Sequence, residues 1–179
     1  MLKSVKAWTA QRTLKKKLQG FKRDKAFYNI TSAKSFGVIY EYKSKESQNA
    51  VNKLFQRFAE HGVSGIAIGY YDSKTLPLDY APRAKNTLFC QADLNWGGCP
   101  TAPEVEAFIN EEFDILIDLS RSSEFVFKYI VSLSKAHFRI GGLDYENNPY
   151  DFVFLDNTNS DETFVEQVLQ FLLKVKDSK

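Results

Sequence analysis

Five polar residues have the types and positions needed to hold a small ligand at the ends of predicted strands. They are Asp72, Asp93, Asn95, Asp118 and Ser120. Each ends or closely follows a run of apolar residues, and in open α/β sheets ligands bind beyond the carboxyl ends of the strands. One interpretation is therefore a cleft for a nucleotide or a sugar nucleotide. Asp, Asn and Ser are also the usual residues of turns and helix caps, and we favour this second interpretation, in which the five residues shape turns and caps.

The strongest of these candidates is the segment 118–123, Asp-Leu-Ser-Arg-Ser-Ser. A strand end, hydroxyl side chains and a predicted helix N-terminus could together bind a phosphate group through backbone amides and Arg121. The segment lacks the glycines and the lysine of a phosphate-binding loop, however. An N-cap role for Ser120 or Ser122 is therefore the favoured alternative.

No residue has the sequence surroundings typical of a catalytic group or a metal ligand. His61 lies near the end of a predicted helix and His137 lies in a predicted strand, both away from any recognisable nucleophile motif. Cys90 and Cys99 have no histidine near them, so their spacing does not match a zinc site. We predict no catalytic residue, no metal and no cofactor, and we favour a protein that is not an enzyme.

The clearest functional signal is an imbalance of charge along the chain. Residues 1–25 hold nine lysines and arginines and one acid, although the whole chain has 24 basic and 22 acidic residues. A basic arm with Trp8 and Phe21 in it can bind RNA, because lysine and arginine contact phosphates and aromatic rings stack on bases. The predicted phosphate contacts come from Lys15, Lys16, Lys17, Lys22 and Arg23.

Two other interpretations of the arm stay open. A basic helix can lie on an anionic membrane surface, which we favour less than RNA. The arm can also pack its apolar residues on the body or on a partner protein and leave its charges in water. No apolar run approaches the roughly 18 residues that a membrane span needs, so we predict no transmembrane segment.

Helical and strand patterns alternate along the chain. The predicted strands are residues 36–42, 65–71, 86–92, 113–119, 136–140 and 150–155. The predicted helices are residues 1–19, residues 44–62, a short helix that the capping box 101–104 begins, residues 123–134 and a last helix with Ser160 as its N-cap. This order predicts an α/β three-layer sandwich with a mostly parallel, five- or six-stranded Rossmann-like sheet and helices on both faces.

Length and composition agree with one domain of ordinary globular type. The 179 residues are 44% hydrophobic and 26% charged, as is usual for soluble domains. We divide the chain into a basic N-terminal helix with a connector, residues 1–34, and a single α/β domain, residues 35–179. Two cysteines are too few for a disulfide framework, and basic residues interrupt the N-terminus where a secretory signal would be apolar. We therefore expect a cytoplasmic protein.

Several blocks of the sequence are similar to a known family. KSFGVIYEY, GIAIGYYDSK, DLNWGGCP, AFINEEFDILIDLS and KYIVSLSKAHFRIGG, followed by YDFVFL, resemble a domain-of-unknown-function family from Bacteroidota, whose members are Rossmann-like α/β proteins with a lysine-rich N-terminus. The resemblance covers nearly the whole chain and implies no established activity, so it transfers no functional residue. In outline the domain also resembles one half of a two-domain glycosyltransferase, an analogy of fold alone.

These observations lead to one expected function and two alternatives. We expect a non-catalytic, cytoplasmic binding protein whose basic arm engages RNA or a ribonucleoprotein. The first alternative is a nucleotide- or sugar-nucleotide-binding enzyme that uses the strand-end loops. The second is a scaffold that binds a partner protein.

Overall fold

A computed structural model of the chain describes residues 2–81, 83–155 and 160–175, except for the side chains of residues 2–4. The strands are β1 Ser35–Glu41, β2 Ser64–Tyr71, β3 Asn86–Cys90, β4 Ile115–Asp118, β5 Phe138–Gly141 and β6 Phe152–Val153. The helices are α1 Leu2–Leu18, α2 Lys45–Ala59, α3 Pro103–Asn110, α4 Phe125–Leu133 and α5 Asp161–Lys174. A single 3-10 turn, Gln91–Asp93, follows β3.

All six strands form one parallel sheet in the order β3-β2-β1-β4-β5-β6. The chain builds β1, β2 and β3 outward in one direction and then crosses over to build β4, β5 and β6 in the other. The order therefore reverses between β1 and β4, as it does in doubly wound dinucleotide-binding folds. The predicted Rossmann-like sheet is confirmed, with six strands.

Helices cover both faces of the sheet because the central strands are apolar on both sides. In β4, Ile115 and Ile117 pack with α2 and α5, whereas Leu116 packs with α3 and α4. These three side chains are fully buried. Two hydrophobic cores result, one on each face, and both lie next to β1 and β4.

Three local predictions were wrong. Neither Ser120 nor Ser122 is the N-cap of α4, which begins after Glu124. Thr101 does not cap α3, because its hydroxyl donates to the carbonyl of Asp93 at 2.9 Å and Ala102 is the N-cap residue. The sixth strand has two residues, Phe152–Val153, and Tyr150, which was expected to begin it, lies before it and donates its hydroxyl to Asp118. The predicted cap of α5 is confirmed, with the Ser160 hydroxyl accepting from the amide of Thr163 at 3.3 Å.

The segment between α1 and β1, residues 19–34, is tied to the body of the protein. Arg23 forms a two-pronged ion pair with Asp151, with N–O distances of 2.6 and 2.5 Å. The same guanidinium donates to the carbonyl of Ala136 at 3.1 Å, and the amide of Ala26 donates to the carbonyl of His137 at 3.3 Å. These bonds hold the segment against the start of β5.

Candidate functional site

Helix α1 lies on the face of the sheet that α4 covers. Ala10 and Leu14, one helical turn apart, are buried, and Leu14 belongs to the same apolar cluster as Ile130 of α4. Residues at i and i+4 lie on one side of a helix. This docking therefore determines which residues of α1 face the solvent.

The solvent-facing side of α1 is basic and carries one indole. We define the outer face of α1 as Trp8, Gln11, Arg12, Lys15, Lys16 and Gln19, which line a shallow groove. Trp8 is 58% exposed, and the guanidinium carbon of Arg12 lies 5.2 Å from the centroid of its ring. The sequence of α1 contains no acid. The outer face thus combines phosphate-binding cations with a ring on which a base can stack.

The other predicted arm residues lie in different surroundings. The ammonium of Lys17 lies 5.5 Å from the ring centroid of Tyr129, and a hydrogen bond with Tyr129 raises the pKa of that lysine. Lys22 is exposed. Arg23 forms an ion pair with Asp151, and the side chain of Arg23 is only 5% exposed. Phe21 is half-buried beneath the guanidinium of Arg139.

A cavity of about 730 Å³ lies between α1, the N-terminus of α4 and the carboxyl ends of β2 and β3. We call it the α1–α4 cavity; its walls include Gln11, Asp72, Asn95, Trp96 and Tyr145. Two of the five predicted cleft residues are among these. Trp96, 61% exposed, was not among the predicted site residues, because a single indole in a glycine-rich turn has no motif around it.

Hydrogen bonds fix the polar side chains of this cavity. Asp72 Oδ1 accepts from the hydroxyl of Tyr70 at 3.2 Å and from the side-chain nitrogen Nε2 of Gln91 at 2.8 Å. Asn95 Oδ1 accepts from the backbone amide of Cys99 at 3.1 Å. Burial, followed by the nearby Asp72 carboxylate, raises the pKa of Tyr70, so this phenol stays protonated and donates.

Asp93 and Asp118 line neither this cavity nor the crevice described below. Asp93 Oδ2 accepts from the amide of Cys90 at 2.8 Å and shapes the turn after β3. Asp118 is buried, and its two oxygens accept from the amide of Ser120 at 2.8 Å and from the hydroxyl of Tyr150 at 2.6 Å. Burial raises the pKa of the Asp118 carboxyl, and these two hydrogen bonds act against that rise.

A second cavity, of about 880 Å³, lies where the strand order reverses, and we call it the switch-point crevice. It opens between the N-termini of α2 and α5, and its cations are Lys43, Lys53 and Arg121. Ser120 lines it with 5% of its surface exposed. The five predicted cleft residues therefore do not form one site.

Carboxylates balance the cations of the switch-point crevice. Arg121 pairs with Asp161, and the ammonium of Lys53 lies 3.1 Å from Glu162 and 2.5 Å from Glu166. The crevice thus offers cations, which can contact a phosphate group, and carboxylates, which can accept from hydroxyl groups. Sequence reasoning missed Lys43 and Lys53, because they belong to a loop and a helix and have no shared motif.

Neither a metal site nor a membrane span is found in the part of the chain that the structure describes. Residues 2–81, 83–155 and 160–175 contain no group of three His, Cys, Asp or Glu side chains able to hold a metal ion. None of the helices in these ranges combines the length and the apolar character that crossing a membrane requires.

Comparison with known proteins gives one family match. Residues 6–175 match the model of a family of unknown function (DUF6913), which includes most of α1 as well as the whole sheet. The match confirms the predicted resemblance to a family of unknown function. No curated protein and no solved structure matches the chain.

Proposed function

Because the chain belongs to a family of unknown function, DUF6913, we propose its function from its own surface: it is a non-catalytic, cytoplasmic protein that binds RNA through the outer face of α1. The observation that carries the proposal is the docking of α1 by Ala10 and Leu14. Docking turns Trp8, Arg12 and Lys15 outward together. A phosphate backbone would meet cations that are already arranged on a folded surface.

The same docking argues against a membrane surface as the partner. An amphipathic helix binds lipid by burying its apolar side in the bilayer. In α1 the apolar residues Ala10 and Leu14 already pack against the body, and the exposed apolar residues Val5, Trp8 and Leu18 form no continuous apolar side to replace them. Charge and one aromatic ring remain for binding, which suits a polyanion better than a bilayer.

Charge reversal at two adjacent lysines tests the proposal. We expect Lys15→Glu combined with Lys16→Glu to weaken binding of a labelled RNA hairpin with a ten-nucleotide single-stranded tail by about tenfold or more at 100 mM salt, because two phosphate contacts are lost. The slope of log K against log salt should become shallower by about 1.5. Fluorescence anisotropy between 50 and 200 mM salt measures both.

The matched control changes two exposed lysines elsewhere. Lys34→Glu combined with Lys85→Glu alters the net charge equally, at positions that precede β1 and β3 and lie outside α1. The hairpin should bind this variant nearly as well as it binds the wild type. Equal losses in the two double variants, or no binding by the wild type, would contradict the proposal.

The switch-point crevice favours a second candidate function, binding of a nucleotide or a sugar nucleotide by an enzyme of this fold. Its location is the one at which doubly wound sheets bind ligands. Its volume, about 880 Å³, is within the usual range for small-molecule sites. Ser120 and Arg121 follow β4, and Lys43 follows β1, so both central strands contribute a polar group.

A tryptophan substitution that fills the switch-point crevice tests whether a ligand binds there. Asn49 lines the crevice, whereas Asn52, three residues along α2, is exposed outside it. If a nucleotide or sugar nucleotide in a thermal-shift screen raises the midpoint of unfolding, Asn49→Trp should abolish the rise and Asn52→Trp should keep it. No shift with any compound, or an equal shift in both variants, would reject this candidate.

A further inference from the structure

We infer that the RNA bound by this protein is single-stranded, and that one of its bases enters the α1–α4 cavity while neighbouring phosphates lie on the outer face of α1. This inference rests on the proposed function and goes beyond it, because it names the strand state of the ligand and a pocket for a base. The carrying observation is that the chain's two tryptophans lie on adjoining surfaces at α1.

The turn that holds Trp96 packs directly against α1. A Cβ on Gly97 would lie 3.8 Å from Thr9 Oγ1 and 3.9 Å from the amide nitrogen of Ala10, and one on Gly98 would lie 3.7 Å from Lys6 Cε. Gly98 has a φ of +83°, which glycine adopts without strain, so the turn bends at this residue without cost. Trp96 is therefore held beside the helix.

The two surfaces share a residue at their boundary. Gln11 lines the groove on the outer face of α1 and also lines the α1–α4 cavity. A strand that follows the groove past Trp8 and Arg12 therefore reaches the cavity and Trp96 by crossing Gln11. Trp8 and Trp96 are 58% and 61% exposed, so both rings are available to stack on bases.

Exposed indoles suit a single strand and not a duplex. In a duplex the faces of the bases are covered by their neighbours, whereas in a single strand they can turn outward and stack on aromatic side chains. Lysines alone would bind either form through phosphate contacts. The pairing of two exposed rings with the cations of α1 therefore points to unpaired RNA.

The charges inside the α1–α4 cavity balance, which suits a neutral base. The carboxylates of Asp72 and Glu124 line it together with the ammonium groups of Lys6 and Lys128. Among the residues that the structure describes, the two side-chain hydrogen bonds that Asp72 accepts both go to Oδ1, so Oδ2 can accept from a base amino group. Asn95 also lines the cavity, where its Oδ1 accepts from the backbone amide of Cys99.

Stacking surfaces and outer cations complete the cavity. Tyr145 and Phe125 supply apolar walls, and the ammonium of Lys128 lies 5.2 Å from the ring centroid of Tyr145. Lys6 lines the side that α1 forms. A volume of about 730 Å³ is ample for one base with its sugar.

The test compares a fluorescein-labelled single-stranded RNA of ten nucleotides with the same sequence as a duplex, at fixed salt. We expect the single strand to bind at least about tenfold more tightly.

Trp96→Ala and Trp8→Ala should each weaken single-strand binding by about tenfold, which is the size of the loss of one stacked base. Trp96→Phe keeps a ring and should retain most of the affinity. Leu78→Ala, at a fully exposed residue outside both surfaces, is the control that should bind like the wild type.

Tryptophan fluorescence gives a direct readout of the pocket. The chain has two tryptophans, so in Trp8→Phe all indole emission comes from Trp96. Binding of single-stranded RNA should quench this emission, and the duplex should leave it unchanged. Asp72→Asn alters the acceptor in the cavity and should change the order of affinities among homopolymers of the four bases without changing the salt slope.

The outcomes separate this inference from the proposed function. If the lysine reversal at Lys15 and Lys16 weakens binding but single strand and duplex bind equally, α1 binds RNA and the inference fails. If Trp96→Ala binds like the wild type and Trp96 emission is not quenched, the cavity holds no base, and the inference also fails. If neither RNA binds the wild type, both proposals are wrong.

Discussion

Replacing Arg23 with glutamine is expected to lower the free energy of unfolding by about 3 kcal/mol, because it leaves a partly buried carboxylate without its main partner. Arg23 donates two hydrogen bonds to Asp151 and one to the carbonyl of Ala136. The side chain of Arg23 is 5% exposed and that of Asp151 is 18% exposed, so water replaces little of the lost interaction. Urea unfolding at neutral pH measures the change.

Lys25 provides a matched control on the same carboxylate. Its ammonium lies 3.4 Å from Asp151, but 73% of its side chain is exposed. Exposed ion pairs contribute little to stability, so Lys25→Gln should cost less than about 0.5 kcal/mol. A similar loss in both variants would show that burial does not set the strength of this contact and would contradict the prediction.

The pH dependence of stability gives a second measurement for Arg23. Burial alone would raise the pKa of Asp151, but the hydrogen bonds from Arg23 and from the Arg139 amide outweigh it and hold the pKa below its usual range. A lowered pKa contributes stability that is complete above the unfolded value of about 3.9 and is lost as the pH falls through the folded value. The difference between wild type and Arg23→Gln should therefore shrink below about pH 4.

This contact also bears on the proposed function. Arg23 follows α1 by five residues and ties the chain to the start of β5. We expect its loss to loosen the connection between α1 and the body and thereby to weaken RNA binding indirectly. Lys15 and Lys16 would act instead through phosphate contacts, and their reversal should leave the free energy of unfolding nearly unchanged. Comparing stability with affinity separates the two roles.

Replacing Gly141 with alanine should lower the free energy of unfolding by about 3 kcal/mol or more, since the methyl group has no space. Its Cβ would lie 2.3 Å from two ring carbons of Tyr150. Tyr150 would have to move, and the hydrogen bond from its hydroxyl to the buried Asp118 at 2.6 Å would be lost. Overpacking and an unpaired buried polar group each cost about 1–3 kcal/mol.

A double-mutant cycle isolates this contact. In a Tyr150→Ala background the ring is absent, so Gly141→Ala should cost less than about 1 kcal/mol. Gly62→Ala is a second control, because that glycine has a φ of +74° but an added Cβ there would meet nothing within 4 Å. It should cost about 1 kcal/mol from backbone strain alone. Equal costs of Gly141→Ala in both backgrounds would disprove the steric explanation.

Local patterns predicted the scaffold well. The run Ile115-Leu-Ile117 is apolar on both sides, as a central parallel strand must be, and its burial follows from that pattern alone. The alternation of strands with helices predicted a parallel sheet, and the apolar stripe of α2 predicted the side that it buries. Each of these predictions rests on the spacing of apolar residues within single helices and strands, and that spacing can be read from the sequence.

Predictions about distant contacts could not be made in this way. Arg23 stands in a basic run, and sequence alone suggested a phosphate contact, but its partner Asp151 lies 128 residues away. The strand ends of a parallel sheet share one edge, which is why the five polar residues predicted one cleft. Helices on opposite faces divide that edge instead, with Asp72 and Asn95 in the α1–α4 cavity and Ser120 in the switch-point crevice.

The sequence by itself determined the element order, the α/β class and the basic character of the N-terminal segment, because periodicity and charge are local properties of a chain. The tertiary structure alone decided the strand order, the docking of α1 and the adjoining positions of Trp8 and Trp96. These depend on which apolar surfaces pack together, and packing joins segments that the sequence separates by many residues. The polar residues at the strand ends were visible from the start, and only folding placed Asp72 and Asn95 in one cavity, Ser120 in another, and Asp93 and Asp118 in neither.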